Sequence, residues 1–160
     1  MSNLHIRTKY LSPSDFENTE ALFKLFSKQK LYTPQGVFRE VWDVGHYDSK
    51  APQYVGYVSY ASINDKPIGV SYLPKHDYYT YDRELYGKPL KYLGYGFVGV
   101  YVKESYRNKG LGKTLLNNVL SKSRAPLVWI ESSIAHMVET PTKLIKVNKD
   151  YSLDIPEELL

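Results

Sequence analysis

The chain contains no cysteine among its 160 residues. This absence excludes disulfide bridges, thiolate metal sites and a thiol nucleophile, and we assign no metal ligand. No apolar run approaches the roughly 20 residues that a membrane-spanning helix needs. Residues 1–5 also lack the charged and then apolar pattern of a signal peptide. We therefore expect a cytoplasmic protein that has no membrane partner.

Charge and length favour one domain with a mildly basic surface. The 21 basic and 17 acidic side chains give a net charge of +4, which suits a polyphosphate ligand but does not require nucleic acid. A chain of this length buries roughly two-thirds of its unfolded surface, enough for a single core. Twelve of the 16 tyrosines lie in residues 54–106, where they favour sheet surface or, alternatively, a substrate groove. We expect a single domain over residues 1–160.

The most informative segment is residues 95–120, which read YGFVGVYVKESYRNKGLGKTLLNNVL. An apolar strand pattern is followed by a short polar turn and a helix pattern. Backbone N–H groups in such a turn and in the first helical turn have no intrahelical partner, so they can converge on an anion. Gly110 and Gly112 let that backbone approach closely, because a Cβ at either position would stand between peptide and phosphate. Arg107 and Lys113 add positive charge at the two ends of the turn.

Two common phosphate loops do not fit this turn. A P-loop requires glycine at position 107, where the chain has Arg107, and a dinucleotide-binding fingerprint requires a third glycine where Leu115 stands. The remaining pattern, Arg107-x-x-Gly110-x-Gly112 after a Val-x-Val strand, resembles the coenzyme A loop of the GNAT family of N-acetyltransferases. The resemblance implies that the turn amides hold the pyrophosphate of coenzyme A and that the strand edge pairs with its pantetheine arm. The implied cofactor residues are Val100, Tyr101, Val102, Arg107, Asn108, Lys109, Gly110, Leu111, Gly112 and Lys113.

The order of predicted elements agrees with this family and predicts an α/β GNAT fold, a mixed central sheet flanked by helices with a shortened C-terminal part. Hydrophobic periodicity, capping residues and turn residues predict the elements. They are a strand over residues 5–10, a capped helix from residue 12, a short helix over 33–44, a hairpin of 54–63 and 68–72, a loop over 74–90, a strand over 92–102, a helix over 110–123 and a strand over 127–132.

The C-terminal part departs from the family pattern. Related enzymes usually carry a helix after the fifth strand, whose tyrosine protonates the departing thiolate, and then a Gly-Phe pair and two further strands. Residues 134–149 contain no tyrosine, and Pro141 interrupts any long helix there. If Asp150-Tyr151 replaces the Gly-Phe pair, the acid position falls near Lys146. We expect either closing strands reduced to residues 151–155 or a partner chain that completes the sheet, so that the protein is a monomer or a homodimer.

Transfer of an acyl group to an amine requires an unprotonated amine, a polarised thioester carbonyl and a proton for the leaving sulfur. The resemblance implies that these requirements meet at the cleft where the fourth and fifth strands splay. Glu131, at the end of the fifth strand, and His136, just after it, are the nearest candidates for proton transfer. His46 is a third candidate.

His46-Tyr47 precedes the hairpin, and this position is similar to a His-Tyr pair in the phage Mom-like branch of GNAT-fold proteins, which modify adenine in DNA. The favoured function is direct transfer of an acetyl group from acetyl-CoA to an amine of a small molecule or protein. Two alternatives remain: a phage-linked transferase acting on nucleic acid, and a coenzyme A-binding or inhibitory protein with little turnover.

Overall fold

The computed structural model of the chain describes residues 3–11, 30–32, 38–40, 56–74, 97–148 and 153–157. Within these ranges lie nine strands, one α-helix and two 3₁₀ turns. The strands are β1 Leu4–Leu11, β2 Lys30–Tyr32, β3 Phe38–Glu40, β4 Gly56–Ile63, β5 Lys66–Pro74, β6 Phe97–Val102, β7 Leu127–Glu131, β8 Lys143–Val147 and β9 Leu153–Asp154. The helix is α1 Leu111–Ser123, and the 3₁₀ turns are η1 Glu104–Tyr106 and η2 Ala135–Met137. No helix in the described ranges is long and apolar enough to cross a membrane.

Seven of the strands form one mixed sheet in the order β1-β4-β5-β6-β7-β8-β9. The pairs β6–β7 and β7–β8 are parallel, and the other neighbours in this sheet are antiparallel. Strands β2 and β3 pair with each other in a separate two-stranded sheet. The mixed sheet with α1 packed on it confirms the predicted α/β fold class.

The hairpin of β4 and β5 turns at Asn64 and Asp65, whose φ angles are 51° and 64°. Positive φ at both central residues is typical of the turn that matches the right-handed twist of paired strands. Asn and Asp tolerate this conformation better than most residues. The hairpin predicted from Asn64-Asp65-Lys66-Pro67 is therefore confirmed, with β5 beginning at Lys66.

The helix α1 packs its apolar side on β4, β5 and β6. Leu115, Leu116 and Val119 are completely buried in this contact. A Cβ at Gly69 of β5 would lie 3.1 Å from Leu115 Cδ1, so the glycine allows the helix to approach the sheet closely. The opposite face of the sheet is covered as well, since Val70 and Trp129 are also completely buried. The sheet is therefore the central layer of the core.

The parallel strands β6 and β7 separate toward their C-terminal ends. Among the described residues their backbones pair at Phe97–Trp129 and Val98–Ile130. The rest of β6 runs on without a β7 partner, whereas β7 stays paired with β8 along its whole length. A wedge therefore opens between the C-terminal ends of β6 and β7, and α1 begins beside it.

The predicted helix over residues 33–44 is wrong where the structure describes it, because Phe38–Glu40 is strand β3 and pairs with Lys30–Tyr32. The five intervening residues of the sequence include Pro34 and Gly36, which favour a turn between strands over a continuous helix. The predicted helix from residue 12, most of the loop over residues 74–90, and residues 92–96 of the predicted strand lie outside the described residues.

The region after β7 corrects the sequence interpretation in a second way. The sheet does not stop at its fifth main strand, because β8 adds in parallel to β7 and β9 adds antiparallel to β8. The hypothetical acid position, Lys146, lies in β8 and is exposed. Strand β9 falls within the short strand predicted over residues 151–155. The prediction missed β8 because its order, Lys-Leu-Ile-Lys-Val, does not alternate cleanly between apolar and polar residues.

Candidate functional site

A groove of about 320 Å³ lies between the free end of β6, the turn before α1, and the segment after β7. Eight of the ten predicted cofactor residues line it. Its lining residues are Val100, Val102, Arg107, Asn108, Gly110, Leu111, Gly112, Lys113, Ile134 and Met137. Tyr101 and Lys109 do not line it. The turn and the strand edge, which are adjacent in sequence, therefore form one continuous concave surface.

The backbone of β6 presents polar groups to this groove. Lys103 N–H donates to Ile68 O of β5 at 2.8 Å, and Ser71 Oγ donates to Gly99 O at 3.0 Å on the same side. Because strand backbone groups alternate in direction, the N–H and C=O groups of Val100 and Val102 point the other way, toward the wedge. These groups provide the edge to which an extended ligand could add hydrogen bonds.

The start of α1 presents a cluster of backbone donors. The first intrahelical bond runs from Thr114 N–H to Gly110 O at 3.1 Å. The N–H groups of Leu111, Gly112 and Lys113 therefore have no intrahelical acceptor. No side chain in the described part of the chain accepts from them either. These donors, together with the positive end of the helix dipole, form a site for an anion.

The two glycines of the turn meet different requirements. Gly110 favours glycine because its φ is +83°, a conformation that other residues rarely adopt. Space is not the reason, since a Cβ there would meet nothing within 4 Å. A Cβ at Gly112 would lie 3.5 Å from Met137 Cε and within 3.7 Å of methyl groups of Val100 and Val102. That Cβ would occupy the groove. The sequence argument assigned close approach to both glycines, and the geometry supports it at Gly112.

Arg107 is held in place at the junction of β6 and the turn. Its Nε donates to Val102 O at 2.6 Å, and its guanidinium carbon lies 5.3 Å from the centre of the Tyr101 ring. The Val102 carbonyl is therefore already engaged. The side chain ties the turn to the end of β6 and still lines the groove.

Comparison with known proteins identifies the family of the chain. Residues 19–135, more than half of the chain, match the sequence model of the Acetyltransferase (GNAT) family. The chain belongs to the GNAT family. This family uses acetyl-CoA, so the predicted cofactor is confirmed. No curated protein sequence matches this GNAT chain significantly.

Several solved structures resemble the GNAT chain at low identity. An aminoglycoside acetyltransferase, meta-AAC0020, from an uncultured soil metagenomic sample is 18% identical with a TM-score of 0.43, and the match covers 82% of this chain and 78% of that one. A GCN5-related N-acetyltransferase from Kribbella flavida is 13% identical with a TM-score of 0.43, over 77% and 28% of the two chains. The Salmonella typhimurium protein yncA, with its cofactor acetyl-CoA, is 18% identical with a TM-score of 0.38, over 76% and 64%. The GNAT chain thus spans less than two-thirds of the Kribbella and Salmonella proteins.

The described residues that follow β7 do not contain the acid-bearing helix that the family resemblance implied. Residues 132–142 are all described, and they form a turn, the single 3₁₀ turn η2 and extended backbone. They contain no tyrosine. This region supplies Ile134 and Met137 to the groove instead. Sequence reasoning missed both residues, because their only local signal is an apolar side chain in a region of mixed character.

The two predicted proton-transfer residues that the structure describes, Glu131 and His136, do not line the groove. Glu131 is half-buried at the end of β7, where its Oε1 accepts from Ser133 Oγ at 2.7 Å. Because it alternates with Ile130, which pairs with Val98 on the α1 side, Glu131 lies on the sheet face opposite α1. His136 is exposed on η2. His46 lies outside the described residues.

Lys113 contributes its backbone to the anion site, but its side chain has another partner. The Lys113 ammonium pairs with Glu139 at 2.5 Å, with 48% and 64% of the two side chains exposed. A phosphate would therefore compete with Glu139 for this charge. In water this exposed ion pair is weak. The backbone donors of residues 111–113, which α1 holds in place, are therefore the better-defined part of the anion site.

Proposed function

We propose that this GNAT chain transfers an acetyl group from acetyl-CoA to an amine of a small molecule or protein. One observation carries the proposal: the N–H groups of residues 111–113, which have no acceptor among the described residues, and the open edge of β6 lie in the same groove. An anionic group and an extended amide-containing arm, joined in one molecule, match these two surfaces. Coenzyme A has this composition, and bound acetyl-CoA supplies an acyl thioester.

The pairing of the cofactor arm would be confined to part of the strand edge. Arg107 Nε occupies the Val102 carbonyl, which leaves the N–H and C=O groups of Val100 and the N–H group of Val102. Two or three backbone hydrogen bonds would fix the direction of the arm along β6. The arm would then lead from the turn toward the wedge between β6 and β7, where an acceptor could enter.

Glu131 is the candidate acceptor for the proton of the amine. It lies at the end of β7, the strand that borders the wedge, and Ser133 Oγ holds one of its oxygens. In the transfer the amine nitrogen forms a bond to the acyl carbon, the bond from carbon to sulfur breaks, and one proton leaves the nitrogen. The sulfur takes up one proton. With no tyrosine in residues 132–142, we propose that water supplies it.

A second candidate function is coenzyme A binding with little turnover. The specific observation that favours it is the replacement of the expected helix after β7 by a short 3₁₀ turn without an acid. Without a proton donor the sulfur leaves as an anion, and transfer is slow. Action on nucleic acid rests on His46-Tyr47, which lies outside the described residues, on His136, which is exposed, and on the basic net charge. No described contact favours it.

The test combines binding and turnover. Calorimetric titration measures the affinity of the groove for coenzyme A. Thiol release from acetyl-CoA is then measured with a panel of amines and afterwards with duplex DNA. Thiol release that depends on an amine supports the proposed acetyl transfer. Tight binding without release on any acceptor supports the second candidate, release only with DNA supports the nucleic-acid alternative, and absence of binding contradicts the assignment of the groove.

A further inference from the structure

The side chain of Asn117 joins α1 to the segment after β7. Its Nδ2 donates to Met137 O at 2.7 Å and to Lys113 O at 2.9 Å. Its Oδ1 accepts from Glu139 N–H at 2.7 Å. The amide group thus pairs with the C=O of one residue and the N–H of the residue two positions further on, as a neighbouring strand would. This arrangement uses the donor and the acceptor of the asparagine together.

This contact is the main polar attachment of that segment to α1 in the part of the chain that the structure describes. Among the described residues, the 3₁₀ turn itself is closed by local bonds, such as Met137 N–H to Ile134 O at 3.0 Å. The ion pair between Lys113 and Glu139 is a second link, but it is exposed. Ile134 and Met137 make apolar contacts with the core cluster under α1, and such contacts do not fix a backbone direction.

The position of Met137 matters for the groove. Its Cε lies 3.5 Å from the point where a Cβ of Gly112 would stand, and it faces Val100 and Val102 across the opening. A shift of residues 137–139 away from α1 would widen the groove beside the strand edge. The N–H groups of residues 111–113 would stay in place, because α1 itself holds them.

We propose that Asn117 is a positioning residue of the coenzyme A site. It fixes residues 137–139 on α1, and thereby sets the wall that Ile134 and Met137 form over the pantetheine part of the groove. The inference rests on the proposed function. It predicts that loss of the Asn117 amide weakens contacts to the pantetheine arm and spares contacts to the phosphates.

The test compares two ligands on matched variants. Asn117→Ala removes all three bonds, and Asn117→Asp keeps the size and the acceptor but turns a carboxylate toward Met137 O. Calorimetry measures the affinity for coenzyme A and for 3′-phosphoadenosine 5′-diphosphate, which lacks the pantetheine arm. We expect both variants to bind coenzyme A about tenfold more weakly and the nucleotide within about twofold of the unaltered chain. Thermal unfolding checks that each variant is folded.

Asn118→Ala is the control, because it removes the same side chain from the next position of α1. Asn118 Nδ2 lies 3.5 Å from Ser59 Oγ, under the helix and away from the groove, so coenzyme A affinity should stay within about twofold. Unchanged coenzyme A affinity in both Asn117 variants overturns the inference. An equal loss for both ligands also overturns it, since a general loss of structure would have that effect. An unaltered chain that binds neither ligand overturns the proposed function itself.

Discussion

Gly110 directly precedes α1 and Gly112 is the second residue of α1, and glycine has a different consequence at each position. At Gly110 the consequence is conformational, since φ is +83°. At Gly112 a Cβ would fit at ordinary contact distances of 3.5 to 3.7 Å from Met137, Val102 and Val100, but it would project into the groove. Substitution at Gly112 therefore changes the groove without straining the backbone.

We expect Gly112→Asp to weaken coenzyme A binding strongly while the protein stays folded. An acidic side chain is compatible with the first turn of a helix, but here it would occupy the groove and repel phosphate. The lost contacts should cost about 2–3 kcal/mol, or roughly 30- to 150-fold in affinity. Calorimetric titration measures the effect, and Gly112→Ala, which adds the Cβ without the charge, should lose less. A folded Gly112→Asp variant with unchanged affinity would show that the ligand binds elsewhere.

Arg107 also acts at the scale of a single residue. Its Nε bond to Val102 O and its position over Tyr101 are contacts that a lysine reproduces poorly, because an ammonium lacks the planar guanidinium group. We expect Arg107→Ala and Arg107→Lys to weaken coenzyme A binding by a similar amount, about tenfold. If Arg107→Lys binds normally while Arg107→Ala does not, then charge alone is what the site requires. Calorimetry at two salt concentrations makes this distinction.

At the scale of elements, the two described candidates for proton transfer lie in different environments, one at the end of β7 and the other on the turn η2. Neither lines the groove, but Glu131 is half-buried and hydrogen-bonded to Ser133, whereas His136 is exposed. We expect Glu131→Gln to lower kcat for acetyl transfer by about 100-fold or more, since an amide cannot accept the proton of the amine. His136→Ala should change kcat less than about twofold.

Steady-state kinetics with a saturating amine checks this pair of variants. The KM for acetyl-CoA should not change in Glu131→Gln, because the residue lies outside the cofactor groove. A normal kcat in Glu131→Gln would remove the carboxylate from the mechanism. A large loss in His136→Ala would transfer the role to the histidine.

Elements with strong local signals were predictable from sequence. The Asn64-Asp65 turn, the apolar strand β6 and the leucine-rich helix α1 each combine a hydrophobic period with turn or glycine residues at their ends. The three-residue strands β2 and β3 exist only through their pairing, and a pattern of three residues is too short to distinguish from a helical face. The same holds for β8, which depends on its parallel neighbour β7.

The candidate site was predictable to a similar extent. The turn of residues 107–113 is contiguous, so its sequence already contains most of the anion-binding geometry. Tertiary contacts alone bring Ile134, Met137 and Asn117 to the site. Asn117 and Met137, for example, are 20 residues apart in the sequence. No local pattern distinguishes Asn117 from Asn118, yet one faces the groove wall and the other faces the sheet.

At the scale of the whole molecule, β9 determines whether the outer edge of the sheet is free to pair with another chain. It pairs with β8 through Val147–Leu153 and Lys146–Asp154, so the chain covers part of this edge itself. The second pair also sets a basic residue opposite an acidic one, which favours this register. The remaining edge of β8 carries Lys143, and charged residues on an edge strand oppose pairing with another chain.

We therefore expect the full chain to be monomeric in light scattering and a chain ending at Asp150 to self-associate. Removal of β9 leaves the edge of β8 unpaired, and such an edge recruits a second strand. The lysines at positions 143 and 146 would repel each other across a dimer, so association of the shortened chain should strengthen as salt screens them. A full chain that is already a dimer, and becomes monomeric on shortening, would contradict this expectation and locate the interface at β9.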